Sequence, residues 1–411
     1  MWESVRRFGL AHCDLPTLIW NVSVMLRLLA LKVQKDAAPI PKSFYVINAA
    51  CAVCYIFNYQ LSMLCFVFVG CRQTGDVLAA ILVFSIGTNS LIGITKLMYL
   101  FYYQDNVQSM VDGYLAYDTL PPAPSTVGLM AATMTNVKKR AMLFWAVMMG
   151  NGFVYNLQPL LMPSRHVLYD EHVLFGLQLI LGTSNYLLAL VFIFTSVAFI
   201  CYTVSNITGL LIITTGYSEA RMLALSAEMC QLWNDARLHY DKNFNVDYTK
   251  NSKDKLAFKE MNKYIKMRLK RIVQSHATNI NLVKKIEDIF REAIATEFAL
   301  LAVALICDLL GGLEQTYIIL PFALMQVSMD CYIGQKLMEA SEIFEAAVYS
   351  CNWEEFDAPN MKSVLMILKM SQKTLTLSAG GVSTLSFGFL MLLIKSVYSA
   401  YAALRSTMES N

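Results

Sequence analysis

This chain of 411 residues is 56% hydrophobic and only 15% charged, with a formal net charge of +3 and a mean hydropathy of +0.47. Apolar content this high exceeds ordinary globular usage and excludes a soluble domain, so membrane lipid is the expected surrounding. No nucleic-acid partner is expected.

The amino end, Met1 to Leu10, is charged, and the apolar stretch Leu15 to Leu31 contains Arg27 and lacks a good cleavage site. It reads as a helix lying at the inner membrane interface, not as a cleavable signal. Uncharged runs long enough for the roughly 20 residues that a spanning helix needs follow at Ser43 to Cys71, Val77 to Thr95 and Ala141 to Met162. Between the second and third, Asp118 to Pro124 carries three prolines and predicts a non-helical connection. The next run, Val173 to Ser218, has 46 residues without Asp, Glu, Lys or Arg, a length that admits one crossing or two.

Glu219 to Arg291 mixes charge with apolar residues at helical spacing, Ile265, Leu269 and Ile272 and then Leu282, Ile286 and Ile289. These predict cytoplasmic helices. Met222 to Trp233 and Met267 to Ala295 would prolong the fourth and fifth spans beyond the membrane, with Asp241 to Asp254 as a flexible tip. Weaker spans follow at Phe298 to Leu310, interrupted by Asp308, and at Gln315 to Met329, and a strong one at Thr374 to Ile394.

Basic residues settle the parity of the crossings. Six Lys and Arg precede Ser43, three lie between Phe101 and Ala141, fifteen between Ser218 and Glu292, and four between Gly334 and Thr374. All four segments fall on one side, the cytoplasmic one, only if Val173 to Ser218 crosses once. The expected fold is therefore all-α, with seven transmembrane helices, the amino terminus inside and the carboxyl terminus outside. Its segments are a cytoplasmic amino-terminal stretch 1–42, spans one to four in 43–215 and a cytoplasmic helical anchor 216–295. Spans five and six in 296–335, a cytoplasmic helical segment 336–373 and a last span 374–406 complete it.

No catalytic motif is present: there is no His-Glu-x-x-His, Gly-x-Ser-x-Gly or phosphate-cradling Gly-rich loop. His12, His166, His172, His239 and His276 never stand at ligand spacing with Cys or acidic partners, so neither a metal nor a cofactor is expected. Among charges inside spans, Lys96 is expected to snorkel to the inner interface, and Asp308 and Asp330 to be solvated near their helix ends. Lys395 is expected to face a neighbouring helix or a wide vestibule.

Met and aromatic residues gather in the outer halves of the middle spans: Phe84, Met149, Phe153, Tyr186, Phe192, Tyr317 and Phe322. Core packing accounts for any one of them. Together, with Thr88, Asn89 and Asn151 as polar contacts, they form a candidate pocket for a small volatile molecule. In the last helix, Ser396, Ser399, Ala403 and Ser406 recur at spacings of three, four and three, a small and hydroxylated stripe suited to water.

Cys331-Tyr-Ile-Gly334, Ser341-Glu342, Ala347-Val-Tyr349, Trp353, Lys369-Met-Ser-Gln-Lys373, Leu377-Ser-Ala-Gly380 and Lys395-Ser-Val-Tyr-Ser-Ala-Tyr401 together resemble the signature of insect odorant receptors. The resemblance implies an odorant-gated, nonselective cation channel in the plasma membrane of olfactory neuron dendrites. It also implies a heterotetramer with the shared co-receptor (Orco), this chain being the ligand-tuning subunit and permeating cations passing a shared pore. Carried onto this chain, the pore face would comprise Ser396, Ser399, Ala403 and Thr407. A G-protein-coupled-type receptor is opposed by the basic distribution, and a secondary transporter by the lack of an internal repeat.

Overall fold

A computed structural model describes residues 8–161, 183–243 and 250–410. Helix α1, Leu15–Leu28, is started by Asp14, whose carboxylate accepts a hydrogen bond from the Thr17 amide at 3.0 Å. Helix α2 runs unbroken over Lys42–Gln73, with π-helical turns at Ile56–Ser62 and Phe66–Gly70. A turn through Gly75 and an Asp76 cap then launch α3, Val77–Tyr102. Helix α4, Gln104–Asp118, precedes the proline-bearing connection, and α5 occupies Val127–Leu161.

Two helices dominate the rest. α6, Thr183–Asn243, has 61 residues and α7, Lys250–Gly311, has 62. At 1.5 Å per residue each is roughly 90 Å long, about twice a bilayer with its headgroups. The described part of the run from Val173 to Ser218 thus lies in one helix, which continues without a break through Met222 to Trp233. Residues 244–249 of the expected tip, with His166 and His172, lie outside the described residues.

After α7 come a short turn of helix, Leu313–Thr316, α8 over Ile319–Ser350 and α9 over Ala358–Ser371. The final helix, α10, is Phe387–Ser410. It starts later than the expected Thr374, because Ser378–Ala379 (β1) and Ser383–Thr384 (β2) pair as an antiparallel hairpin. The hairpin turns at Gly380 and Gly381, both at positive φ (65° and 74°), a region that a residue with a Cβ rarely adopts. Glu287 of α7 holds the hairpin by accepting from the Ser378 amide at 2.9 Å and from the Ser378 hydroxyl.

α6 is the axis of the bundle. Every residue from Thr203 to Met222 is buried, and α1, α2, α3, α5, α7 and α8 all pack against it. A helix apolar on all sides must be enclosed by others. Five helices among the described residues are long and apolar enough to cross a membrane: α2, α3, α6, α7 and α10. α5 and α8, of 35 and 32 residues, are also long but carry charges within them, such as Lys138 to Arg140 and Lys336. The expected spans Ala141 to Met162 and Gln315 to Met329 overlap α5 and α8, which are not among those five.

The prolonged ends of α6 and α7 are tied by buried polar groups as well as apolar ones. Arg221 of α6 donates to the Tyr117 and Leu120 carbonyls, each at 2.8 Å, with its guanidinium 4.3 Å from the Tyr117 ring centre. Arg268 of α7 pairs with Glu228 of α6 at 2.7 Å. His276 of α7 is buried with its ring 4.6 Å from that of Phe344, and burial lowers its pKa to about 4.

Candidate functional site: a cavity at the centre of the bundle

α5 approaches α6 closely at Gly152, where a Cβ would stand 2.6 Å from the Cys201 sulfur. Around this contact the helices leave a small cavity of about 60 Å³. Tyr59 of α2, Ile86, Asn89 and Ser90 of α3, Asn151 and Tyr155 of α5, Val197, Ile200 and Cys201 of α6, and Ile319 and Phe322 of α8 line it. The wall is mostly apolar. Its polar edge comprises the two asparagines: Asn151 donates to the Ile318 carbonyl at 2.6 Å, and Asn89 lies beside Asp308 with no hydrogen bond of normal geometry to the described residues. Such a wall grips an apolar body and orients it through one or two polar contacts.

Of the residues expected at a pocket, Asn89, Asn151 and Phe322 are brought together here. Thr88 is buried on α3 but spends its hydroxyl on the Phe84 carbonyl at 2.8 Å. Met149, Tyr186 and Phe192 are half-buried, and Phe192 packs on Phe57 with ring centres 5.3 Å apart. Phe84, Phe153 and Tyr317 point outward, the last two being 66% and 57% exposed, and do not line this cavity. Helical phase is the reason: Phe153 lies two residues from Asn151, about 200° around α5. Tyr59, Tyr155, Val197, Ile200 and Cys201 were missed. The i, i+4 relation of Asn151 to Tyr155 and of Val197 to Cys201 was the available signal.

Two buried polar clusters flank the cavity along α3. One turn before Asn89, the Ser85 hydroxyl donates to the Asp308 carboxylate and approaches the Ala304 carbonyl at 3.2 Å. About two turns beyond Asn89, Lys96 stands 2.6 Å from Glu297 of α7 and 3.6 Å from Asp330 of α8, and donates to the Thr208 hydroxyl of α6 at 3.0 Å. Gln326, one turn from Asp330, donates to Glu297. Lys96, Asp308 and Asp330 are thus enclosed, which corrects the expectations of snorkelling and solvation. Lys96 has Glu297 and Asp330 as opposite charges on two other helices, whereas Asp308 has a hydroxyl, and these partners offset part of the cost of burying each group.

α10 contrasts with the other spans. It leans on the bundle through Phe389 against Phe298, with ring centres 5.1 Å apart, through the half-buried Leu390 and Leu393 and through the buried Val397, while most of its other residues are exposed. Ser396, Ser399, Ala403 and Thr407 are all exposed, as is Lys395, and Thr407 returns its hydroxyl to the Ala403 carbonyl at 3.0 Å. Among the described residues, no three or more His, Cys, Asp or Glu side chains group so as to hold a metal ion.

The family model described as 7tm Odorant receptor matches residues 76–398. Among curated proteins, Odorant receptor 13a of Drosophila melanogaster is 26% identical over 161 residues, covering 34% of this chain. Odorant receptor 30a of the same organism is 28% identical over 111 residues, covering 25% of it. These matches span 38% and 29% of the two relatives, well under half their length. In fold, the chain is similar to the insect olfactory receptor OR5 from Machilis hrabei, solved in complex with eugenol. The TM-score is 0.73 at 12% identity, over 96% of this chain and 98% of that one. A second structure of that receptor gives 0.70 at 11% identity.

Proposed function

Because this chain belongs to the insect 7tm odorant receptor family, we propose that it is the ligand-recognising subunit of an odorant-gated, nonselective cation channel. In this reading a small volatile molecule binds in the central cavity, and α10 lines a pore shared with the family's co-receptor in a heterotetramer. The amino terminus is cytoplasmic, the carboxyl terminus extracellular, and the assembly sits in the plasma membrane of olfactory neuron dendrites. No catalytic step is involved.

One observation carries the ligand part: a mainly apolar cavity at the junction of five helices, edged by the amides of Asn89 and Asn151. At about 60 Å³ it is smaller than the roughly 150 Å³ engineered cavity that holds benzene, so a ligand must spread the helices to enter. That requirement couples occupancy to helix position. A ligand that binds the spread arrangement more tightly shifts the population towards it, and α8, which bears Ile319 and Phe322, also packs on α10.

The pore part rests on the exposure of α10. A spanning helix left this bare in one subunit presents Ser396, Ser399, Ala403 and Thr407 to neighbours or to water. The test is odorant-evoked current in cells expressing the chain with and without the co-receptor. Current that requires both is expected; silence with the co-receptor across a broad odorant panel would overturn the channel reading.

A further inference from the structure

A second and larger recess, about 390 Å³, lies between α1, α5 and α6. We propose that it binds one phospholipid, with an acyl chain along the recess and the phosphate beside Lys139. Its walls are Leu18 and Val22 of α1, Met142 and Trp145 of α5, and Gly209 and Ile213 of α6.

Three of the polar residues at the recess, Asn206, Ser205 and Lys138, spend hydrogen bonds within the protein. The Asn206 amide donates to the Tyr202 carbonyl at 2.7 Å and the Ser205 hydroxyl to the Cys201 carbonyl at 2.6 Å. Lys138 donates to the Gly9 and His12 carbonyls at 2.6 and 2.5 Å. Most of what faces the recess is hydrocarbon, so an apolar chain fits where a polar ligand would lose hydration with little return. Gly209 forms part of the floor, and a Cβ added there meets nothing within 4 Å.

The opening indicates where the occupant comes from. Met142 and Trp145 are 44% and 38% exposed, and Leu143 beside them is 58% exposed, so the recess is continuous with an apolar stretch of the outer surface of α5. Its occupant enters sideways from the bilayer. From Lys138 to Ala146, α5 rises by eight residue steps, roughly 12 Å of depth, enough for a substantial part of an acyl chain. At the end nearer the prolonged ends of α6 and α7, the exposed Lys139 lies on the same helical stripe as Met142 and Ala146. Its charge complements a lipid phosphate at the headgroup level of that leaflet.

The test uses the full-length protein, purified in mild detergent, with retained phospholipid counted per chain by native mass spectrometry. Gly209→Phe and Ala146→Phe fill the recess from opposite walls; the second serves if the first fails to fold, as judged by thermal unfolding. Each is expected to retain one phospholipid fewer per chain than the unaltered protein, and Lys139→Gln to lose any preference for anionic lipid. A companion measurement follows quenching of Trp145 emission by brominated phosphatidylglycerol, with Trp145→Phe as the blank. Stronger quenching in the unaltered protein than in the filled variants supports the site. Equal lipid counts together with equal quenching indicate annular contact only and would overturn it.

Discussion

Lys96 and Glu297 stand 2.6 Å apart with neither side chain reaching solvent, and Asp330 stands 3.6 Å from the same ammonium. Three helices, α3, α7 and α8, therefore meet at one charge cluster, with Thr208 of α6 as a fourth contact. An ammonium so placed cannot be removed without leaving two carboxylates in a low-dielectric interior. Lys96→Met is expected to destabilise the protein by about 3–5 kcal/mol, the usual cost of stripping one partner from a buried pair. Thermal unfolding of purified protein measures this, and the double variant Lys96→Met with Glu297→Gln should recover part of the loss. A Lys96→Met protein as stable as the original would show that the cluster bears no such load.

The central cavity makes a contrast within two residues of α5. Asn151→Ala removes a cavity-lining amide, and loss of one hydrogen bond worth about 1 kcal/mol predicts roughly a fivefold change in odorant potency. Phe153→Ala alters an outward-facing ring and should leave potency nearly unchanged. Dose–response curves for evoked current distinguish the two, and the reverse order would move the ligand site away from this cavity.

Helix approach at Gly152 offers a separate check. Its added Cβ would press on the Cys201 sulfur at 2.6 Å, so Gly152→Ala is expected to push α5 from α6 and cost about 1–3 kcal/mol, with altered ligand response. Cys201→Ala in the same chain removes the obstructing sulfur and should restore much of both. Failure of that pairing would mean the two residues are not coupled through packing.

Hairpin placement sets where α10 begins. At Gly334 a Cβ would collide with the Leu385 carbonyl, a backbone atom that cannot turn aside. Gly334→Val is expected to displace the hairpin from α8 and reduce evoked current more than it reduces surface expression. Surface labelling alongside current recording measures the ratio.

His276 gives the pH dependence. Burial against Phe344 lowers its pKa to about 4, below the ordinary value of about 6.5, so the folded protein favours the neutral ring. Its contribution is complete above the unfolded value and is lost as pH falls from about 6.5 towards 4, by roughly 3 kcal/mol at most. Thermal stability across that interval should fall less steeply in His276→Leu than in the unaltered protein; parallel curves would exclude this histidine as the cause.

The sequence by itself determined what depends on composition and on periodicity along one chain. Apolar run length marked candidate spans, the count of basic residues led to the expectation of a single crossing through Val173 to Ser218, and the carboxyl-terminal motifs pointed to the receptor family. Asn89, Asn151 and Phe322 were also legible as pocket candidates, because polar amides and large aromatics are conspicuous in apolar helices. Only the tertiary structure decided which way each helix turns and what meets across helices. A rotation of about 200° separates Asn151 from Phe153, and the complement that buries Lys96 lies 201 and 234 positions away in the chain, at Glu297 and Asp330. No local pattern encodes such a partner. Similarly, the start of α10 was set by Glu287 holding Ser378 and by two glycines at positive φ, whereas hydropathy registered only that Thr374 to Ile394 lacks charge.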